Sequence, residues 1–241
     1  MTDRPPYLNP FVLPTEPCPR ERHGRVDFHL PAGDSPAPAV VFVHGGPIPE
    51  AMDPTPRDLP SFIGYGRAVA TSGAVGVVLD HRMRDLGDCG PSAQDLADAV
   101  EAVRAHPRVD RDRIALWFLS GGSCLAAGWL DAAPDQLRCI AFSYPLFGDL
   151  PGRPVDARFR PAAALAGWRG VPIVLTTVGL ERPDIAATVE NFLAAARERQ
   201  VDVRVITVPN GHHGFDCLDD TEESREAIVE AVEAVLGYLR D

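Results

Sequence analysis

Several absences narrow what this chain is. No apolar run approaches the roughly 18 residues of a membrane helix, so a spanning segment is not expected. The opening residues, Met1-Thr2-Asp3-Arg4-Pro5-Pro6, lack the apolar core of a secretory leader, which gives the expectation of a cytoplasmic protein. There is no block of five or more like charges, and the net charge is −11. Nucleic-acid binding calls for a basic patch, and docking on an anionic membrane surface for a basic face; neither partner is expected. The cysteines are Cys18, Cys89, Cys124, Cys139 and Cys217, an odd number without C-x-x-C spacing. They read as free thiols, not as a disulfide or zinc framework. No G-x-G-x-x-G follows a strand-like run, which removes the usual dinucleotide fingerprint. Neither a metal nor an organic cofactor is expected.

What is present is ample apolar material, 45% of 241 residues, and 24 prolines, about twice the average share. Residues 1–22 hold six of those prolines and read as an extended arm, neither helix nor inner strand. Its Tyr7, Leu8, Phe11, Val12 and Leu13 are candidates for pinning the arm to the body or to a second copy in a homodimer. From residue 23 to 241 one domain is expected. His23–Leu30 alternates as an edge strand does. Ala39–Val43, Ala74–Leu79, Ile114–Leu119, Arg138–Ser143, Pro172–Val178 and Val201–Val208 are short, mostly apolar runs, as strands buried on both faces of a parallel sheet should be. Helical spacing falls between them: residues 61–72, a helix capped by Ser92, one after Ser120 to about Ala132, one capped by Asp184, and a last one from about Asp220 with Glu223 in a capping box. This alternation predicts an α/β fold, doubly wound, with a mostly parallel sheet and helices on both faces. Residues 146–168 read as a small lid with one short helix.

In such sheets, ligands bind beyond the carboxyl ends of the strands. Those ends carry His44-Gly45-Gly46-Pro47, Ser120-Gly121-Gly122, Gly179-Leu180-Glu181-Arg182-Pro183-Asp184 and His212-His213-Gly214-Phe215. Ser120 ends an apolar run and precedes two glycines, the layout of a nucleophile elbow. The match to G-x-S-x-G is partial, because Phe118 stands at the first glycine position; its ring must point away from the serine. A capping serine in a Gly-rich turn is the plainer reading of that segment alone. A serine nucleophile needs a histidine base, a carboxylate to orient it, and two amides for the oxyanion. Gly121 N–H is one such amide. Pro47 has no N–H, which leaves Gly46 as the better source of the other. Asp184 opens a helix, where a cap is its ordinary role. Ser123 and Cys124 read as packing, and Asp80-His81-Arg82 as structural.

The order serine, acid, histidine is that of α/β-hydrolases. On His44-Gly45-Gly46-Pro47, Ser120-Gly121-Gly122, Gly179-Leu180-Glu181 and His213-Gly214-Phe215, residues 39–241 resemble an α/β-hydrolase, and most closely a dienelactone-hydrolase-like esterase. The resemblance implies Ser120 as nucleophile, His213 rather than His212 as base, and Glu181 as acid with Asp184 as the alternative. It implies a structural His44 beside Gly45 in the oxyanion loop. Dienelactone hydrolases use a cysteine nucleophile, so their substrate does not carry over. The expected activity is hydrolysis of a small carboxylic ester or lactone through an acyl-enzyme. The same residues would serve a peptidase, thioesterase or cyclase, and a binding protein that retains the fold is the non-catalytic alternative.

Overall fold

The computed structural model describes residues 5–240; the first four residues of the arm and Asp241 lie outside the described residues. The arm is not featureless. A short 3₁₀ turn occupies Pro6–Leu8, and the arm closes with an edge strand, β1 (Arg20–His23). The predicted single strand over 23–30 is therefore a hairpin of β1 and β2 (Val26–His29), turned at Gly24 with φ of +58°. Leu8, Phe11 and Leu13 pack against the core and Val12 is buried, while Tyr7 stays exposed.

The remaining elements run in chain order: β3 (Ala37–Val43), α1 (Pro60–Thr71), β4 (Val75–Leu79), α2 (Gly90–Ala105), β5 (Val109–Leu119), α3 (Ala127–Asp131), β6 (Leu137–Ser143), α4 (Pro161–Ala164), β7 (Ile173–Val178), α5 (Pro183–Glu198), β8 (Val203–Val208), α6 (Phe215–Leu218) and α7 (Glu222–Arg240). The sheet order is β1-β2-β4-β3-β5-β6-β7-β8. β1 and β2 are antiparallel; from β4 to β8 every pairing is parallel. Side chains of a strand alternate between faces, and the core divides accordingly. Val40, Phe42, Ala115, Trp117 and Ala141 pack under α1 and α7. Val41, Val43, Leu116, Phe118 and Phe142 pack on the other face, under α2, α3 and α5. Both faces are covered, which is why the strands read as continuous apolar runs.

The antiparallel edge is held by charge. Asp27 is fully buried and accepts from Arg20 and Arg22, with Arg57 alongside. Burial acts to raise its pKa, but the bonds from Arg22 and Arg20 outweigh burial and hold it below the ordinary carboxylate value. Among the described residues no helix is long and apolar enough to cross a membrane.

Several helix boundaries differ from the sequence expectation. α2 starts at Gly90, because Pro91 fits the first turn of a helix; Ser92 is thus inside the helix, buried, with its hydroxyl unpaired. Arg182, not Asp184, is the capping residue of α5, with Pro183 at its start. Thr221 caps α7 by accepting the Ser224 amide at 3.1 Å, which leaves Glu223 to bond Asn210 instead. Residues 146–168 hold α4 and two 3₁₀ turns, and bury Leu146, Phe147, Val155, Phe159 and Leu165 in the core.

Candidate active site

β5 ends at Leu119, and the chain turns sharply at Ser120. Its φ is +51°, the left-handed region that a residue with a Cβ occupies at a cost. The turn continues as 3₁₀ helix from Ser120 to Ala126, 7 residues, before α3 begins, so the helix expected directly after the serine starts about two turns late. The His44–Pro47 loop lies hard against this turn. A Cβ on Gly122 would stand 2.3 Å from the His44 carbonyl oxygen, one on Gly121 2.7 Å from that of Gly46, and one on Gly45 2.9 Å from Ser120 Cβ. At Gly121 and Gly122 the atoms met are backbone, so only glycine fits there. Phe118 does not crowd the serine: it is fully buried on the α2–α5 face and stacks on Phe142 with centroids 5.7 Å apart.

From Ser120 a line of hydrogen bonds runs outward. Ser120 Oγ and His213 Nε2 are 2.6 Å apart, and His213 Nδ1 and Glu181 Oε2 are 2.6 Å apart. A carboxylate cannot donate, so Nδ1 carries the ring proton and gives it to Glu181; Nε2 then accepts from the serine hydroxyl. Glu181 also accepts the Arg182 amide at 2.8 Å, and its side chain is only 6% exposed against 28% for His213. Two backbone bonds hold the acid loop against the histidine loop: Gly179 N–H donates to Val208 and Leu180 N–H to Gly211.

The competing residues are engaged elsewhere. Asp184 pairs with Arg182 at 2.5 Å and accepts the Ile185 amide; the Arg182 bond holds its carboxyl below the usual value. His212 is bonded through its amide and ring to Asp219, at 2.7 and 2.9 Å. Ser123 is fully buried with no hydrogen-bond partner for its hydroxyl among the described residues, and Cys124 Sγ donates to the Leu146 carbonyl. Of the arginines in 146–168, Arg158 pairs with Asp156 and Arg160 with Asp149. Arg153 lines a 530 Å³ cavity with Pro47, Arg84 and Leu86, at the end of the His44–Pro47 loop.

On that side of Ser120 two histidines brace the loop. His44 Nε2 accepts the His81 amide at 3.1 Å, so its proton sits on Nδ1 and goes to the Gly45 carbonyl at 2.6 Å. His81 Nε2 donates to the His44 carbonyl at 2.8 Å, and the two rings stack 3.6 Å apart. Both are buried. Burial lowers the His44 pKa to about 4 and drives His81 well below its usual value, with the neighbouring ring adding to the shift. Asp80 takes Arg57 and Arg82 takes Asp95.

Two residues near the site were not singled out in the sequence. Tyr144 follows β6, and its hydroxyl donates to Asp216 at 2.6 Å; Asp216 stands three residues after His213. The only sequence signals were a tyrosine at a strand's carboxyl end and an acid in the first turn after His-Gly-Phe. As for metals, the donor atoms of Glu21, His23 and His106 lie within 4.8 Å of one another at the sheet edge. His106 Nδ1 accepts the Arg108 amide, so Nε2 carries the proton, which it shares with Glu21 at 3.2 Å. In that tautomer Nε2 has no lone pair to offer an ion.

No family model matches the sequence, and no curated protein matches it either. Solved structures do. A thermophilic esterase from the planctomycete Thermogutta terrifontis, with propionate bound, is 18% identical with a TM-score of 0.71, over 93% of this chain and 96% of that one. A hyperthermophilic esterase from the archaeon Pyrobaculum calidifontis is 19% identical with a TM-score of 0.66, over 93% and 87%. Dipeptidyl peptidase 4 of Porphyromonas gingivalis is 13% identical with a TM-score of 0.70, over 93% of this chain but 36% of that one. At these identities the likeness is one of architecture, and with the sheet order, the elbow and the loops described above it gives the chain the α/β-hydrolase fold.

Proposed function

We propose that the protein is a serine hydrolase that cleaves a small carboxylic ester or lactone through an acyl-enzyme on Ser120. The observation that carries this reading is the unbroken line Ser120–His213–Glu181, with both gaps at 2.6 Å. In the first half-reaction, Ser120 Oγ attacks the carbonyl carbon while its proton passes to His213 Nε2. Glu181 stabilises the imidazolium and holds the ring. The carbonyl oxygen, now an oxyanion, takes hydrogen bonds from Gly121 N–H and Gly46 N–H. The tetrahedral centre collapses, the carbon–oxygen bond to the alcohol breaks, and His213 returns its proton to the departing alkoxide. Water then repeats the sequence: His213 takes its proton, the hydroxide adds to the acyl carbon, and Ser120 leaves with the proton back on Oγ.

The ester class is supported by the two esterases of like fold, both covered nearly end to end. A fluorophosphonate probe tests the reading. Labelling of the wild type, mapped to the Ser120 peptide, retained in Ser123→Ala and absent in Ser120→Ala, is the expected result. A folded wild type that takes no label contradicts it.

A further inference from the structure

His213 sits on a loop between β8 and α6, followed by Gly214 in the left-handed region with φ of +86°. No regular element fixes its side chain. Its bonds to Ser120 and Glu181 leave from Nε2 and Nδ1, on opposite sides of the ring. Two such bonds define an axis and leave the ring free to rock about it. A third contact off that axis is needed to hold the plane.

Tyr144 supplies one. Its ring meets the His213 ring edge-on, with centroids 5.0 Å apart and planes at 63°. Tyr144 has φ of +38°, a conformation that bulky residues rarely adopt and that persists only where several contacts over-determine it. Those contacts are visible. The amide donates to Thr176 at 2.9 Å, the ring stands perpendicular to Phe215, and the hydroxyl donates to Asp216 Oδ2 at 2.6 Å. Asp216 is 1% exposed. Burial dominates its surroundings and raises its pKa, against the bond from Tyr144. A buried carboxyl without a donor is strongly destabilising, so the pair holds together or fails together. The Tyr65 hydroxyl lies beside the same carboxyl without a bond of good geometry. The arm closes the rear: Val12 N–H donates to the Asp216 carbonyl at 2.9 Å, and Phe11 packs on Tyr65 with centroids 4.7 Å apart.

We propose that Tyr144 is a positioning residue for the hydrolysis proposed above, a side wall anchored by Asp216 that keeps the His213 ring in line between Ser120 and Glu181. The inference rests on that reading of Ser120, His213 and Glu181. Tyr144→Phe keeps the ring and removes its anchor. Asp216→Asn keeps an acceptor for the hydroxyl. Because Tyr144→Phe takes the 2.6 Å donor from a buried carboxyl, the double variant Tyr144→Phe/Asp216→Leu removes both partners and guards against a folding failure.

Two readouts are taken on each folded protein: p-nitrophenyl acetate hydrolysis, and the low-field proton resonance of His213 Nδ1–H. We expect kcat to fall about tenfold in both Tyr144 variants with KM within about twofold, as misalignment of a base should do. The low-field resonance should broaden or move in both, and Asp216→Asn should stay near wild type in both readouts. Wild-type kcat with an unchanged resonance in the Tyr144 variants would overturn the proposal. A wild type that hydrolyses no ester would remove the proposed function instead, and the resonance would still decide whether Tyr144 positions the ring.

Discussion

Histidines stand on both sides of Ser120, and they are built for opposite tasks. His213 reaches solvent and faces a carboxylate through one nitrogen and a hydroxyl through the other. His44 and His81 are sealed from water, stacked on each other, and bonded only to backbone groups and one another. An imidazole that must gain and lose a proton in each turnover needs a nearby anion and a path for the proton. An imidazole that shapes a loop must keep one tautomer, and burial that outweighs nearby charge enforces that. In the reaction proposed above, the same side chain serves as moving part and as brace because its surroundings differ, not its chemistry.

The comparison is broken most severely on the moving side. Ser120→Ala should lower kcat/KM by at least about 10⁴-fold in an ester assay while the fold persists. Ser120→Gly should be equally inactive yet more stable than Ser120→Ala by about 1 kcal/mol in urea unfolding, because glycine relieves the strained φ of +51°. Equal stabilities would contradict the strain assigned to the turn.

Next in size is the acid. Glu181→Gln should lower kcat by about 10²- to 10⁴-fold, since an amide favours the wrong ring tautomer. On the brace side, Gly122→Ala pushes a methyl against the His44 carbonyl, 2.3 Å away. It should destabilise by about 1–3 kcal/mol by chemical unfolding and slow the reaction of Ser120 with a fluorophosphonate.

Acidity separates the two sides further. The folded His44 pKa is about 4 against 6.5 for the free side chain. The unfolded chain therefore binds a proton more readily than the folded one between those values, and stability falls as pH drops from about 6.5 to 4. The loss attributable to this group amounts to about 3 kcal/mol over that window. His29, also lowered to about 4 by burial, acts in the same direction. The drop in urea midpoint from pH 7 to pH 4.5 should be smaller in His44→Asn than in wild type; an equal drop would show that His44 is not held neutral. The smallest effect is expected at Asp184: with its carboxylate committed to Arg182 and a backbone amide, Asp184→Asn should leave kcat within about twofold of wild type.

How much of this could be read from the chain follows from the range of each interaction. Ala39–Val43 and Ile114–Leu119 declare themselves as strands because burial on both faces leaves no polar position. The strand ends then single out His44–Pro47, Ser120, Gly179–Asp184 and His212–Phe215 with no knowledge of distance, since the fold places chemistry there; the choice of Glu181 and His213 within those stretches comes from the resemblance to α/β-hydrolases. Local competition was harder to read. Pro91 and Thr221 outbid Ser92 and Glu223 as helix-start signals, and a 3₁₀ turn replaced the first turns of the elbow helix. Tyr144 and Asp216 were out of reach for another reason. They meet across 72 residues, and neither position carries a pattern until β6 and the histidine loop are side by side. Phe118 shows the converse: a motif mismatch in sequence is, in space, an ordinary core residue stacked on Phe142.

The covalent acyl intermediate proposed on Ser120 has a kinetic signature. Mixing the protein with excess p-nitrophenyl acetate in a stopped-flow instrument tests it most directly. The account predicts a burst of nitrophenolate, about one equivalent per active site, followed by a slower steady state; Ser120→Ala should show neither phase. Nitrophenolate release that persists unchanged in Ser120→Ala would contradict it.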